Sequence, residues 1–339
     1  MSVRRALLAG LVAALVAAMI STGGPAAAND AVTVQLDWVV RGDHGIFFVG
    51  RDKGFFAAQG IDIKAINRGT GSVVTMRMVG AGQAEFGFGD LPTAAVARSQ
   101  DVPVVALVAV NQTSPLAFIT LAAKHPLKRP SDLEGLAIGV QPAGSTYVFF
   151  RAFAAANHLD LAKITQRTVQ PPYENYLLLG RVDAVPGYID AEVPELAAKA
   201  GGPQALDILL GSDHGYDMLG SGLVTSTAMV QGRPELVQRF VRAYLAAFDY
   251  VAAHPEETAD IIIKANPEYQ GKREVLIAQL RADIDHTFAG PATRQHGLGW
   301  MSAEAWTKTV AILKDQAVIT RPLDPAAAYD NRFVAAARH

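Results

Sequence analysis

Short runs rich in valine and isoleucine alternate with helical stretches along most of this 339-residue chain, and that alternation restricts its fold more than any other feature. Val32, Val34 and Leu36 alternate with Thr33 and Gln35 as on a strand with one buried face, and a helical stretch over about 44–53 follows. Ile61, Ile63 and Ile66 then open a second strand. The rhythm continues with a helix over 73–79, a strand over 85–88, a helix over 92–99 and a strand over 102–110. A second series starts after Lys124, with strands over 136–140, 164–169, 184–186 and 206–210 and helices from about Ser145, Tyr173 and Ala191. Such alternation predicts an α/β fold, with a parallel or mixed sheet covered by helices in each series. An apolar strand over 223–230 comes next. Helices then dominate, starting at Pro234, breaking at His254-Pro255 and Asn266-Pro267, and ending with a last helix after Ser302.

If the C-terminal helices fold back on the first sheet, the chain is two-lobed, with crossings near 120–125 and 218–224. Lobe 1 is then 29–122 with 222–339, and lobe 2 is 123–221. Periodicity fits a tandem arrangement equally well.

Residues 1–28 read as a cleaved secretory signal peptide: Arg4 and Arg5 precede an uncharged apolar run over 6–20, and Ala26-Ala27-Ala28 suits a small-residue cleavage site. The run is shorter than the roughly 20 residues that span a bilayer. Export to the periplasm is the expectation. The whole chain carries a net charge of −2, and losing Arg4 and Arg5 makes the remainder more acidic. No basic patch points to nucleic acid, and no later run is long enough to anchor the protein. With 0 cysteines, disulfides, thiolate metal sites and a cysteine nucleophile are excluded. The scattered histidines show no metal-ligand spacing, and neither a metal nor a cofactor is called for.

Candidate site residues cluster where strands give way to helices, the border of the binding crevice in open α/β sheets. Trp38, Asp43 and His44 follow the first strand. Gly71-Ser72 and Gly144-Ser145-Thr146 directly precede helices, so backbone N–H groups and the helix dipole could face a ligand there. The structural alternative is plain N-capping by Ser72 and Ser145. Asp90 is placed either as a helix cap or as a site residue. Tyr188 and Glu192, four residues apart at a strand end and helix start, could bring a phenol and a carboxylate to one side. Asp43-His44 could act as a base pair in an enzyme, but no G-x-S-x-G, H-E-x-x-H or phosphate-loop pattern accompanies it.

The stretches LDWVVRGDHGIFFVGRDKGFF, GAGQAEFGFGD, SPLAFITL, LEGLAIGVQPAGST, GRVDAVPGYIDAE, PELVQRFVRAYLAAFDYVAAHPEE and YDNRF together resemble the solute-binding proteins of ABC importers. The family is that of the thiamine-pyrimidine precursor binders, which also holds sulfonate, taurine and riboflavin binders. The resemblance covers nearly the whole exported chain. It implies a two-lobed periplasmic binding protein fold of type II, with two crossing segments, that closes on a small molecule and hands it to an inner-membrane permease. A monomer without enzymatic activity is expected. In pyrimidine-binding relatives an aromatic at the position of Trp38, with the segment here formed by Gly187, Tyr188 and Glu192, helps to form the pocket. Ile189 and Ala191 stand where such relatives often carry an aromatic and an asparagine. A eukaryotic branch makes the pyrimidine with a cysteine-rich motif that this chain lacks. Two ligand classes therefore remain: an amino-heteroaromatic, or a small organic anion held at the helix N-termini near Ser72 and Ser145.

Overall fold

The computed structural model describes residues 29–170, 172 and 174–338; the expected signal peptide and the expected helix start at Tyr173 lie outside the described residues. The first series gives β1 (Asp30–Gln35), α1 (Gly45–Asp52), β2 (Ile61–Asn67), α2 (Ser72–Gly80), β3 (Phe86–Asp90), α3 (Leu91–Ser99) and β4 (Val104–Ala109). The second gives β5 (Leu116–Leu121), β6 (Ala137–Val140), α4 (Ser145–Ala156), β7 (Thr165–Thr168), α5 (Glu174–Leu178), β8 (Ala184–Tyr188), α6 (Glu192–Ala200) and β9 (Leu206–Leu210). The chain continues with β10 (Ser221–Ser226), α7 (Thr227–Gly232), α8 (Pro234–Ala253), α9 (Pro255–Ala265), α10 (Arg273–His286), α11 (Pro291–His296), α12 (Ala303–Asp315) and α13 (Arg332–Arg338).

The strands form two five-stranded sheets, ordered β2-β1-β3-β10-β4 and β7-β6-β8-β5-β9. β1 runs parallel to β2 and β3, while β10 returns antiparallel between β3 and β4. That insertion brings the C-terminal part of the chain back to the first sheet, so the tandem alternative is excluded. In the second sheet β6 is parallel to β7 and β8, and β5 runs antiparallel to β8 and β9.

The position of β5 corrects the expected crossings. A crossing near 120–125 puts SPLAFITL in lobe 1, yet Leu116–Leu121 lies in the second sheet, so the chain passes between sheets over 110–115 and returns over 211–220. Its side chains are buried almost throughout, so no alternation separates it from β4. The polar passage 124–135 merely leads from β5 to β6. The two crossings run side by side, with Gly220 N–H donating to the Asn111 carbonyl at 3.0 Å and Ser114 N–H to the Met218 carbonyl at 2.7 Å. Two further expectations change: the strand expected over 223–230 stops at Ser226, whose hydroxyl caps α7 by accepting from Met229 N–H at 3.2 Å, and α13 follows the helix expected to be last.

The long helix α8 illustrates how sequence sets the packing. Pro234 opens it, where a missing N–H is harmless, and Leu236, Val237, Phe240, Val241, Tyr244, Phe248 and Val251 recur at helical spacing and are buried. Each such side chain is worth about 1.5–3 kcal/mol of burial. The stripe joins α1, β1 and β3 in one core around Phe47, Phe86 and Phe88. The helix ends at His254 because Pro255 cannot donate the next hydrogen bond. A second core runs from α2 and α3 into β5 and α4. Among the described residues, no helix is long and apolar enough to cross a membrane.

Candidate functional site

The carboxyl ends of β1, β6 and β8 converge on a cavity between the two halves. Asp37, Trp38, Arg41, Gly71 and Ser72 line it from the first half; Gln141, Gly144, Ser145, Thr146, Tyr188 and Glu192 line it from the second. Its free volume is about 20 Å³, room for about one water molecule. Trp38, Arg41 and Glu192 also border an outer chamber of about 240 Å³, which continues past Glu174, Glu195, Tyr269, Lys272 and Gln279.

The halves meet at the rim of the inner cavity. Gln141 Nε2 donates to the Thr70 carbonyl at 2.6 Å, and Val73 N–H donates to the Ala143 carbonyl at 3.3 Å. Gly71 makes this approach possible: its φ is 141°, and a Cβ there would lie 2.2 Å from the Ala143 carbonyl oxygen. Glycine at this position therefore serves both an unusual backbone angle and contact between the halves.

The hydroxyls that sequence could read as helix caps do other work. Neither α2 nor α4 has a side-chain cap; their N-caps are Gly71 and Gly144. Ser72 Oγ donates to Asp37 Oδ2 at 3.3 Å and accepts from Asp90 N–H at 3.2 Å. Ser145 Oγ and Tyr188 Oη share a hydrogen bond of 2.7 Å, and burial pushes the Tyr188 phenol well above its ordinary range. Glu192 Oε2 accepts from Tyr188 N–H at 2.7 Å, so the carboxylate is fixed against the strand end from which the phenol extends.

Arg41 organises the floor. Its guanidinium is buried, 3.2 and 3.3 Å from the two Asp37 oxygens, and its Nε lies 2.9 Å from Asp43 Oδ1, an ion pair without hydrogen-bond alignment. The Phe88 and Tyr188 rings sit at 5.7 and 5.2 Å from it. Burial alone would raise the Asp37 carboxyl, but the Arg41 charge and the His44 hydrogen bond outweigh it and hold the group at about 2. His44 Nδ1 accepts from Arg41 N–H at 3.3 Å, which assigns the hydrogen to Nε2, 3.0 Å from Asp37 Oδ1.

Trp38, Gly71, Ser72, Gly144, Ser145, Thr146, Tyr188 and Glu192 are thus brought together, whereas Asp43, His44 and Asp90 are not among the lining residues. Asp43 and His44 stand one layer behind, where they pair with Arg41 and Asp37. Asp90 caps α3 by accepting from Thr93 N–H at 2.8 Å and Thr93 Oγ1 at 2.6 Å, and burial raises its carboxyl to about 7. Asp37, Arg41 and Gln141 line the cavity although no motif in the sequence singles them out. Their signal is placement: Asp37 and Gln141 each directly follow the last apolar residue of a strand region, and Arg41 is four residues after Asp37. Among the described residues no group of three or more His, Cys, Asp or Glu is placed to hold a metal ion.

Two α/β halves joined by paired crossings, with a cavity at the strand ends between them, define the class of periplasmic-binding-protein folds. The alkanesulfonate-binding protein SsuA from Xanthomonas axonopodis pv. citri bound to MOPS has this fold, superposing with a TM-score of 0.68 over 90% of this chain and 100% of that one at 14% identity. Residues 41–258 match the family described as NMT1/THI5 like, and the chain belongs to that family. It is 26% identical over 306 residues to the riboflavin-binding protein RibY of Chloroflexus aurantiacus, covering 89% of this chain and 86% of the relative. It is 25% identical over 302 residues to the formylaminopyrimidine-binding protein of Halalkalibacterium halodurans, covering 85% and 89%.

Proposed function

We propose that this protein is the periplasmic solute-binding component of an ABC importer, exported by cleavage after Ala28, and that it closes on a small amino-heteroaromatic and delivers it unchanged to a membrane permease. The observation that carries the ligand class is the charge state of the cavity floor. Arg41 is the cation lining the inner cavity, and Asp37 and Asp43 already neutralise it. Glu192 supplies a further carboxylate at the wall. A ring can pack against Trp38 and the Tyr188 edge, worth about 0.5–1.5 kcal/mol beyond its buried area, while its exocyclic amine donates to Glu192 in a charge-assisted bond. The relatives named for riboflavin and formylaminopyrimidine binding support a heteroaromatic ligand. The inner cavity holds about one water, so such a ring enters when the halves part. A base built on Asp43 and His44 would act from behind the cavity wall, which argues against catalysis.

Glu192→Gln tests the reading. Glutamine keeps a carbonyl oxygen to accept from Tyr188 N–H but removes the charge. Calorimetry on riboflavin, formylaminopyrimidine and an alkanesulfonate should show the bound heteroaromatic weakened by about 1–3 kcal/mol. Tight binding of the sulfonate, unchanged or improved in the variant, would replace this reading with that of an anion binder.

A further inference from the structure

The face of α10 turned toward the second half carries Gln279 and Asp283, one helical turn apart. Gln279 Oε1 accepts from Gly42 N–H at 3.0 Å, and its Nε2 donates to the Ala191 carbonyl at 2.9 Å. One amide therefore ties the turn before α1 to the residue that precedes α6. A turn further along α10, Asp283 meets Asp190, the neighbour of Ala191. Asn111 Nδ2 lies between them, 2.8 Å from Asp283 Oδ1 and 3.4 Å from Asp190 Oδ2. Asn111 belongs to the first crossing segment, and its Oδ1 accepts from Ser221 N–H at 3.1 Å where the chain re-enters the first sheet. The carboxylates thus come from the two halves and meet at the crossing about which those halves turn.

Both are buried, at 4% exposure for Asp190 and 1% for Asp283. Thr287 Oγ1 donates to Asp283 Oδ1 at 2.8 Å, whereas Asp190 Oδ1 has no amide or hydroxyl donor. A protonated Asp283 can donate a hydrogen bond to the Asp190 carboxylate. Of the charged groups facing the pair, Asp43, from the turn before α1, adds negative charge, while Arg41 beside it draws the Asp190 carboxyl down but is shared with Asp37, to which it is hydrogen-bonded, and with Asp43, with which it is ion-paired. Tyr244 of α8 is a neutral phenol, Glu192 at the start of α6 is held by Tyr188 N–H, and Lys272 is paired with Glu195 at the outer chamber. On α10 itself, His286 lines a separate apolar groove. Burial and the Asp190 charge push the Asp283 carboxyl well up, and burial raises Asp190 to about 6.

We propose that Asp190 and Asp283 form a proton-bearing latch, in which closing the two halves takes up one proton that the pair shares and opening returns it to water. This rests on the reading of a protein that opens and closes on a solute. Acid favours the closed state. As pH rises and the shared proton is lost, two like charges face each other across the crossing and the halves part, so ligand affinity falls in step.

Small-angle scattering on the full ligand-free exported chain from pH 5 to 8 tests this, alongside carbon-13 titration of its aspartate carboxyls. In the wild type the radius should grow with pH, the closed-to-open ratio falling by up to about tenfold per pH unit while the pair titrates. Asp283→Asn keeps a donor toward Asp190 at every pH and should stay compact throughout. Asp190→Asn does the same from the other side and serves if the first variant fails to fold. A wild-type radius indifferent to pH, an Asp283→Asn profile like the wild type, or carboxyl shifts showing both aspartates ionised by pH 5 would overturn the latch. Because no ligand is added, failure here leaves solute binding standing. A chain that binds none of the compounds tried yet still opens with pH keeps the latch and loses the transport reading.

Discussion

Gly71→Ala should abolish compaction on ligand binding and weaken affinity by about 100-fold, a change of about 2.7 kcal/mol. The added methyl would stand 2.2 Å from the Ala143 carbonyl oxygen, which belongs to the other half, so the clash exists only when the halves are shut. The unusual φ of 141° adds backbone strain of about 1–3 kcal/mol whatever the state of the cleft. These contributions separate by comparison with Gly54→Ala. Gly54 has a φ of 77°, and a methyl added there would meet nothing within 4 Å, so alanine strains the backbone without touching the second half. Scattering and calorimetry should find Gly54→Ala somewhat less stable but competent to close. Closure and binding by Gly71→Ala to the same degree as Gly54→Ala would show that this contact does not gate the cleft.

Much of this architecture is legible in the sequence because the strands and helices are locally consistent. β1, β2 and β4 declare themselves by β-branched residues at alternating or continuous apolar positions, and α8 by its stripe and flanking prolines. The crossings are less legible, since β5 is buried almost throughout and carries no alternation, while the polar segment after it has the composition of a boundary. At the site, the glycine and hydroxyl residues before α2 and α4 point to the lining by their position alone. Sequence does not rank the polar groups of the loop after β1 by depth. His44 is fully buried and Asp43 nearly so, whereas Trp38, five residues before Asp43, borders the cavity. A short turn decides which of these faces inward, and its geometry depends on Gln279, more than two hundred residues away, which accepts from Gly42 N–H. Contacts of that range leave no local periodic trace. The role of Arg41 is hidden for the same reason: an arginine in a polar loop is ordinarily solvated, and only the meeting of Asp37, Asp43, Phe88 and Tyr188 makes it a buried centre.

Arg41→Leu should lower folding stability by about 3–5 kcal/mol, the range for a buried ion pair that loses one partner. Leucine fills part of the space between Phe88 and Tyr188 but leaves the carboxylates without their cation. Asp37 keeps His44 at 3.0 Å and Ser72 at 3.3 Å; Asp43 loses the guanidinium at 2.9 Å. The pH dependence fixes the cause. In the wild type Asp37 titrates at about 2, below its ordinary 3.8, so its stabilising effect is complete above the ordinary value and is lost as pH falls from there toward 2. Without Arg41, burial dominates and the folded-state Asp37 carboxyl titrates above its unfolded value. The folded variant then holds a proton that the unfolded chain has released, so acidification from pH 7 to 5 offsets part of the loss. Urea denaturation of both proteins at the two pH values should show the deficit narrowing at pH 5. Adding Asp37→Asn to Arg41→Leu should recover part of the stability at pH 7 by removing one uncompensated charge. A deficit under about 1 kcal/mol, or one equal at both pH values, would mean that Arg41 stabilises the floor by packing between its two rings rather than by holding Asp37 ionised.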